Sequence, residues 1–351
     1  MMKFEKLNQL LSDKNLDAVV ILSPYNRRYL SLFTGSSGAL VIAGNQRYLI
    51  TDFRYISQAT SQAADFEIVK QQGGLLDNVK QLIADKGFKT VGFEGDLITF
   101  QQYQTLSDTV QLIDIAGEIE KFRMIKEPFE IEVIQKAADI ADEAYAYIQK
   151  IIKAGITELE VSHELEMFMR KQGATGSSFD TIVASGYRGA LPHGVASNKV
   201  IEQGDMITLD YGALYEGYIS DITRTLAVGE PVAEMRKIYD IVLDAQVTAL
   251  EQIKPGMTGK AADAISRDII KAAGYGEQFG HSLGHGIGLE VHEGPGLSMV
   301  SDIPLEPGMC VTLEPGIYVE DLGGVRIEDD VIVTENGLKR FTHSTKDLII
   351  L

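Results

Sequence analysis

The first part of the chain, up to about residue 120, alternates short apolar runs with amphipathic stretches. Apolar residues at helical spacing (Phe4, Leu7, Leu10, Leu11) predict an N-terminal helix. Six apolar runs predict strands at Ala18–Leu22, Ala39–Ala43, Tyr48–Thr51, Phe66–Val69, Thr90–Phe93 and Val110–Ile115. Three amphipathic stretches predict helices at Tyr55–Ala63, Leu75–Asp85 and Phe100–Ser107. Because Gly44-Asn45 is typical of a hairpin turn, we predict an α/β domain with a mixed sheet.

The rest of the chain shows one order of elements twice, each time two helices, a histidine-bearing segment and a hairpin. The first round is predicted at Pro128–Lys153, Glu158–Lys171, a strand Thr181–Ala184, a loop with His193, and a hairpin joining Met206–Gly212 to Tyr218–Val228. The second is predicted at Val232–Ile253, Gly259–Ala273, the segment Phe279–Glu293, and a hairpin joining Met309–Val319 to Gly324–Val333. Pro128 suits a first helical position, and Thr157 with Glu160 forms a capping box. We therefore predict two domains, residues 1–121 and 122–351, the second with an internal duplication whose hairpins face one cleft.

Composition and charge narrow the classes of function. Of the 351 residues, 45% are hydrophobic and 23% charged, and the formal net charge is −18. A strongly acidic chain repels nucleic acid and anionic membranes, so neither is expected as the main partner. The N-terminus lacks the apolar core of a signal peptide, and no later run is long enough to span a bilayer, so we expect a cytoplasmic protein. Cys310 is the single cysteine, which excludes an internal disulfide and a cysteine-based zinc site.

Two aspartates lie in the first predicted hairpin. A turn near Tyr215-Glu216 places Asp210 and Asp221 opposite each other on antiparallel strands. Directly opposed residues have Cβ atoms about 4.5–5.5 Å apart, so two carboxylates there repel each other. A divalent cation between them removes that repulsion.

The second hairpin repeats the arrangement with Glu314 and Glu328 around a turn at Asp321–Gly324. Its strands are apolar enough to be buried, where an uncompensated carboxylate is costly. A single acid of this kind is commonly a solvated strand end, but four in the same arrangement favour a metal site.

Three of the six histidines, His281, His285 and His292, fall in the segment Phe279–Glu293. His285 stands between Gly284 and Gly286, which let the backbone approach a ligand closely. The alternative for His285 is a hydrogen-bonded loop histidine. His163 and His343 are assigned to the surface or to packing. The segment lacks the GxGxxG spacing of dinucleotide-binding loops, and no GxSxG marks a serine nucleophile.

Four carboxylates and one imidazole form a ligand set dominated by oxygen. Such a set suits a pair of Mn²⁺, Co²⁺, Fe²⁺ or Zn²⁺ ions better than a closed structural zinc site. Two dications also match the charge of four carboxylates. Paired ions of this kind activate a bridging water. The residues alone thus predict a dinuclear metallohydrolase.

Seven motifs carry a resemblance to a known family: LPHG, LDYG, SDITRT, GHGIG, VHE, EPGIY and VRIEDD. With them the C-terminal domain resembles the pita-bread (M24) metallopeptidases, which include methionine aminopeptidase, aminopeptidase P and prolidase. The N-terminal domain, with TDFRY at Thr51–Tyr55, is similar to the creatinase-type domain of aminopeptidase P and prolidase. The resemblance implies an α/β creatinase-like domain followed by a pita-bread catalytic domain.

The resemblance also implies roles for particular residues. The implied metal ligands are Asp210, Asp221, His285, Glu314 and Glu328, with Asp221 and Glu328 bridging two ions, Mn²⁺ being favoured. The implied catalytic residues are His193, His281, His292 and Glu314, and Glu314 is the candidate proton shuttle. A metal-bridging hydroxide would attack the carbonyl before a proline. We expect Phe179 and Val291 at the proline ring and Arg326 at the substrate.

The implied activity is cleavage of an Xaa-Pro bond, and the resemblance leaves two substrate lengths open. Prolidases commonly carry an arginine shortly after VHE for the dipeptide carboxylate, whereas Gly296 stands at that place here. We therefore expect an Xaa-Pro aminopeptidase, with an Xaa-Pro dipeptidase as the alternative. A metal-free creatinase-like hydrolase and a peptide-binding pseudo-enzyme are further alternatives. The N-terminal domain carries no chemistry of its own and is expected to be a scaffold that forms a homodimer.

Overall fold

The computed structural model describes residues 2–351, and its contacts divide the chain into two units, Met1–Arg123 and Met124–Leu351. We call them the N-terminal unit and the C-terminal unit. Among the described residues, no helix is both long and apolar enough to cross a membrane.

The N-terminal unit is built on a six-stranded mixed sheet. Its helices are α1 (Met2–Asp13), α2 (Pro24–Ser31), α3 (Ile56–Gln62), α4 (Leu75–Lys86), α5 (Phe100–Ser107) and α6 (Glu118–Met124). Its strands are β1 (Ala18–Ile21), β2 (Ala39–Ala43), β3 (Gln46–Thr51), β4 (Glu67–Lys70), β5 (Thr90–Phe93) and β6 (Gln111–Asp114), in the order β4-β3-β2-β1-β5-β6. Strands β2 and β3 pair antiparallel across Gly44-Asn45, which confirms the predicted hairpin and the mixed sheet.

Helix α2 was not predicted, because it buries three polar side chains beside Tyr29 and Leu30. Ser23 caps its N-terminus and Pro24 occupies the first turn. Asn26 donates a hydrogen bond to Glu94, and Arg27 donates to the carbonyl oxygens of Gly35 and Gly38. Polar residues on the buried face are satisfied by hydrogen bonds and interrupt the apolar period, so the sequence pattern misses the helix.

The C-terminal unit repeats one order of elements. Its first half contains α7 (Pro128–Ile148), α8 (Glu158–Lys171), β7 (Gly176–Ser177), β8 (Ile182–Ser185), β9 (Met206–Tyr211), β10 (Ala213–Tyr215), β11 (Tyr218–Ile219) and β12 (Ile222–Ala227). Its second half contains α9 (Ala233–Gln252), α10 (Gly259–Ala272), β13 (Gly284–Gly286), β14 (Glu293–Leu297), β15 (Cys310–Leu313), β16 (Gly316–Val319), β17 (Gly323–Arg326), β18 (Asp329–Thr334) and β19 (Gly337–Arg340). The predicted order of two helices followed by antiparallel strands is therefore present twice.

The helices of the first half cover the strands that carry the aspartates. A buried apolar cluster joins α7 and α8 to β8, β9 and β12. Within it the fully buried Tyr211 donates a hydrogen bond to the carbonyl oxygen of Ala141. The predicted capping box of Thr157 and Glu160 is present at the start of α8. Helix α7 ends at Ile148, earlier than predicted, because Lys150 and Ile151 bond three residues back and tighten the chain into turns.

The register of the first hairpin differs from the prediction. Asp210 lies opposite Thr223, so Asp221 is displaced by two residues from the position directly across from Asp210. The turn falls at Glu216-Gly217, where both residues have positive φ, one position later than predicted. Moving a hairpin turn by one residue changes the pairing by two, which keeps side chains on the same face. The predicted direct opposition was wrong, but the shared face was right.

The second hairpin has the predicted register. Leu313 pairs with Asp329 in one ladder, and Gly316 pairs with Arg326 in the next. Glu314 and Glu328 lie between these two ladders and are therefore directly opposite each other. Cys310 is a free, buried residue of the same sheet.

Candidate metal centre

One cavity of about 710 Å³ in the C-terminal unit gathers all the side chains that the sequence singled out. The antiparallel hairpins β9/β12 and β15/β18 deliver the acids to it, and the segment around β13 delivers the histidines. Its lining includes Phe179, His193, Asp210, Asp221, His281, His285, Val291, His292, Glu314, Arg326 and Glu328. Residues that are more than 140 positions apart in sequence thus meet at one place.

His285 lies at the centre of the carboxylates. Its Nε2 atom is 3.3 Å from Glu314 Oε1 and 3.7 Å from Asp221 Oδ2. Asp221, His285 and Glu328 each offer one ligand atom, and these three atoms lie within 4.8 Å of one another. A cation placed among them would be reached by oxygen and nitrogen ligands together.

The acids contain oxygen atoms that no described residue satisfies. Asp210 Oδ1, Asp221 Oδ1 and Glu328 Oε1 are buried and have no hydrogen-bond partner. Buried polar atoms are nearly always paired, and leaving one unpaired costs about 1–3 kcal/mol. The three unpaired oxygens belong to acids that line one cavity. Carboxylate oxygens of this kind are the ligands that a hard or borderline cation prefers. The residues present therefore fit a divalent metal.

Burial changes the protonation of these groups in the absence of a cation. It raises the pKa of Asp221 and of Glu328 well above the usual range, and the charges of neighbouring carboxylates raise both further. Burial also raises the pKa of Glu314 to about 8, against the opposing effect of the Arg326 charge. Burial lowers the pKa of His285 to about 4, and the nearby His292 adds to this effect. A neutral imidazole is the form that binds metals.

A second group of polar side chains orients the acids, and the sequence did not single them out. Thr223 donates to Glu328 Oε2 at 2.6 Å, and Thr312 donates to Glu314 Oε1 at 3.2 Å. Asp330 Oδ2 accepts the backbone N–H of Asp221 at 2.7 Å. Each lies two residues from an acid (Asp221, Glu314 or Glu328) and hence on the same side of its strand. This spacing of two residues was the sequence signal from which Thr223, Thr312 and Asp330 could have been found.

Arg326 is a buried residue of the cavity wall, and it is hydrogen-bonded to Asp210. It donates to Asp210 Oδ2, to Thr223 Oγ1 at 3.0 Å and to the Tyr318 hydroxyl at 2.7 Å. It also donates to the carbonyl oxygen of Pro192 at 3.3 Å. Most of its N–H groups are therefore engaged with the protein itself.

The other predicted residues lie around the acids. His281 Nε2 is 2.8 Å from the Tyr318 hydroxyl, and burial lowers the pKa of His281 to about 4. The ring of His292 packs edge-on against His285, with centroids 4.4 Å apart. His193 is exposed in the loop after a 3₁₀ turn, Gly186–Ala190. Two partly buried apolar side chains, Phe179 and Val291, complete the lining.

Four carboxylates and an imidazole on paired hairpins define the site of a metal-dependent hydrolase. The sequence profile of metallopeptidase family M24 matches residues 132–335, and that of the Creatinase/Prolidase N-terminal domain matches residues 3–125. The chain belongs to metallopeptidase family M24 and is a metallopeptidase. The resemblance drawn from the motifs is thereby confirmed, together with the fold that it implied.

Three relatives illustrate the similarity. The chain is 43% identical to an Xaa-Pro dipeptidase from Pyrococcus furiosus, over 99% of both chains. The structure resembles that of an Xaa-Pro dipeptidase from Bacillus anthracis, with a TM-score of 0.98 and 52% identity over 100% of this chain and 99% of that one. It also resembles an X-Pro aminopeptidase from Thermotoga maritima, with a TM-score of 0.91 and 44% identity over 96% and 98% of the two chains.

We expect binding of a divalent metal to release protons and to tighten as the pH rises from about 6 to about 8. Glu314, with a pKa raised to about 8, holds a proton below that pH and must lose it to become a ligand. Calorimetric titration with Mn²⁺ in buffers of different ionisation enthalpy measures the protons released. An affinity that does not change over this range would contradict the assignment of these acids as ligands.

Proposed function

We propose that this metallopeptidase is an Xaa-Pro aminopeptidase, which removes the N-terminal residue from peptides with proline at the second position. The supporting observation is the cation content of the cavity. Among the described lining residues Arg326 is the one lysine or arginine side chain, and it is engaged with Asp210. At Gly296, a Cβ atom would meet only Ser298 Oγ, at 4.0 Å. The cavity is thus open there and offers no unengaged cation to the carboxylate of a dipeptide.

The proposed cofactor is a pair of divalent ions, with Mn²⁺ favoured. Asp210, Asp221, His285, Glu314 and Glu328 would hold them. When bound, such ions polarise the scissile carbonyl and lower the pKa of a water molecule to about 7. Four carboxylates against two dications leave the centre close to neutral, which suits its burial.

The side chains of the chain itself supply proton transfer and orientation. Glu314 accepts a proton from the attacking water and passes it to the proline nitrogen as the C–N bond breaks. That nitrogen belongs to a tertiary amide and carries no proton of its own. His193 and His292 donate hydrogen bonds to the developing oxyanion or towards the leaving nitrogen. His281, kept neutral by burial, orients the substrate.

Two other groups shape the substrate site. Phe179 and Val291 are the apolar surfaces offered to the proline ring. Arg326 acts through Asp210, whose carboxylate it fixes by a charge-assisted hydrogen bond. An Xaa-Pro bond has a restricted backbone and no N–H, so apolar contact with the ring is a suitable means of selecting it.

The alternative is an Xaa-Pro dipeptidase with the same centre. It is favoured by the relatives from Pyrococcus furiosus and Bacillus anthracis, which carry that name. The two activities share the acids and histidines. They differ only in whether the substrate ends at the proline or continues beyond it.

Chelation is expected to abolish Xaa-Pro cleavage, and added Mn²⁺ to restore it. Asp221→Asn, which removes a ligand charge, should lower kcat/KM at least about a hundredfold. Asp240→Asn, at an exposed position on α9, is the control and should leave turnover unchanged. Undiminished activity of the Asp221 variant would show that this carboxylate is not part of the centre.

Substrate length separates the aminopeptidase from the dipeptidase. The wild-type protein should cleave an Xaa-Pro-Xaa tripeptide with a higher kcat/KM than the matching Xaa-Pro dipeptide. Gly296→Arg should raise the dipeptide kcat/KM about tenfold, because a charged hydrogen bond to its carboxylate becomes available. Gly296→Ala is the matched control and should leave the ratio of the two substrates unchanged. Wild-type cleavage of the dipeptide alone would establish a dipeptidase.

We also propose that the chain forms a homodimer through its N-terminal unit. This unit exposes large apolar side chains, including Phe53 at 73% and Leu32 at 51% exposure. Apolar surface of this kind marks interaction sites when it is contiguous. Light scattering should give the mass of two chains at micromolar concentration, and a monomeric mass would refute the proposal.

A further inference from the structure

A buried ion pair lies behind the loop that carries two of the cavity residues. The loop Gly288–His292 joins β13 to β14 and presents Val291 and His292 to the cavity. Glu293, the residue directly after His292, has its Oε2 atom 3.1 Å from Lys126 Nζ. The side chains of Lys126 and Glu293 are only 1% and 5% exposed. The proposed mechanism uses neither of these two charges.

The Glu293 carboxylate fills the inside of this loop. Its Oε1 atom accepts the backbone N–H groups of Leu289 at 2.8 Å and Glu290 at 3.0 Å. A Cβ atom at Gly288 would lie 2.8 Å from Glu293 Oε2, so a side chain there would displace the carboxylate. The Glu293 side chain therefore binds the first half of the loop, at Leu289 and Glu290. The Glu293 backbone directly follows the second half of the loop, which ends at His292.

Lys126 reaches this carboxylate from a fixed backbone. Its N–H donates to the carbonyl oxygen of Gly308 at 2.9 Å, and the preceding Ile125 forms an antiparallel bridge with Met309. The backbone from which the Lys126 side chain extends is thus held in place at the start of the C-terminal unit. Removing one partner of a buried ion pair leaves the other charge uncompensated, so the loss of Lys126 would drive the Glu293 carboxylate away from its position.

We propose that Lys126 is a positioning residue for the reaction, which holds the loop Gly288–His292 in its catalytic geometry through the Glu293 carboxylate. The proposal rests on the proposed function, in which His292 stabilises the transition state. Side chains that orient a catalytic group matter because a displacement of about 1 Å can lower the rate about a hundredfold. The cation at position 126 then acts on catalysis without touching substrate or metal.

The test is a double-mutant cycle with an Xaa-Pro-Xaa tripeptide. Lys126→Met removes the charge and keeps the length of the side chain, and should lower kcat/KM at least about tenfold. In the His292→Ala background the same change should lower it less than about twofold, because the group that it positions is gone. Lys126→Arg should restore the rate to within about threefold of wild type, since it supplies the same charge.

Two further variants complete the experiment. Lys199→Met breaks another largely buried pair, Lys199–Asp205 at 2.7 Å, and should leave kcat/KM of the folded protein unchanged. Should Lys126→Met fail to fold, Glu293→Gln takes its place in the cycle, because the amide oxygen can still accept the backbone N–H groups of Leu289 and Glu290.

The outcomes separate this inference from the proposed function. An equal fold-loss of kcat/KM from Lys126→Met in the wild-type and His292→Ala backgrounds would overturn the inference, since it would indicate a general effect on the fold. Wild-type rates for Lys126→Met or for His292→Ala would overturn it as well. A wild-type protein that cleaves no Xaa-Pro peptide would instead refute the proposed function.

Discussion

Repulsion between buried carboxylates is the constraint on which the C-terminal unit depends. Asp210, Asp221, Glu314 and Glu328 meet in one cavity with a single engaged arginine among the described lining residues. Left alone, such a group would separate or take up protons, as the raised pKa values of Asp221 and Glu328 indicate. The acids stay together because Asp210 lies on β9 and the other three directly adjoin paired strands, and the aspartate hairpin is covered by α7 and α8. The fold thus supplies the rigidity that the charges oppose, and a bound cation relieves the repulsion that remains.

Hydrogen bonds between strands complete this arrangement. Thr223 connects the two hairpins, since it donates to Glu328 and accepts from Arg326, while Asp330 holds the backbone of Asp221. Contacts of this kind add no further carboxylate to the cavity, but they fix the direction in which the carboxylate oxygens point. Changing a group that orients a metal ligand typically lowers metal affinity or activity about 10–100-fold.

The residues that the sequence singled out line one cavity, and they could be singled out because their signals are local. Acids on apolar strands, His285 between two glycines and a hairpin turn can all be recognised within about twenty residues. The register of the first hairpin was missed because positive φ at Glu216 and Gly217 decides the turn, and Glu216 is an unusual residue for that conformation. The engagement of Arg326 was also missed, because its partner Asp210 lies 116 positions away. Contacts between distant segments have no local signature and cannot be predicted from periodicity. The same holds for helix α2, whose buried face mixes polar and apolar residues.

The backbone hydrogen bond between Lys126 and Gly308 bears on where a fragment that contains the whole catalytic unit has to begin. The regular structure of that unit starts with α7 at Pro128, and a fragment cut to this helix would look complete by its secondary structure. Such a fragment would nevertheless leave the Glu293 carboxylate buried without its counter-charge. The short peptide that leads from residue 123 into α7 is therefore not a passive connection between two folded units. It forms part of the wall that supports the active-site loop, and any dissection of the two units has to cut on its N-terminal side.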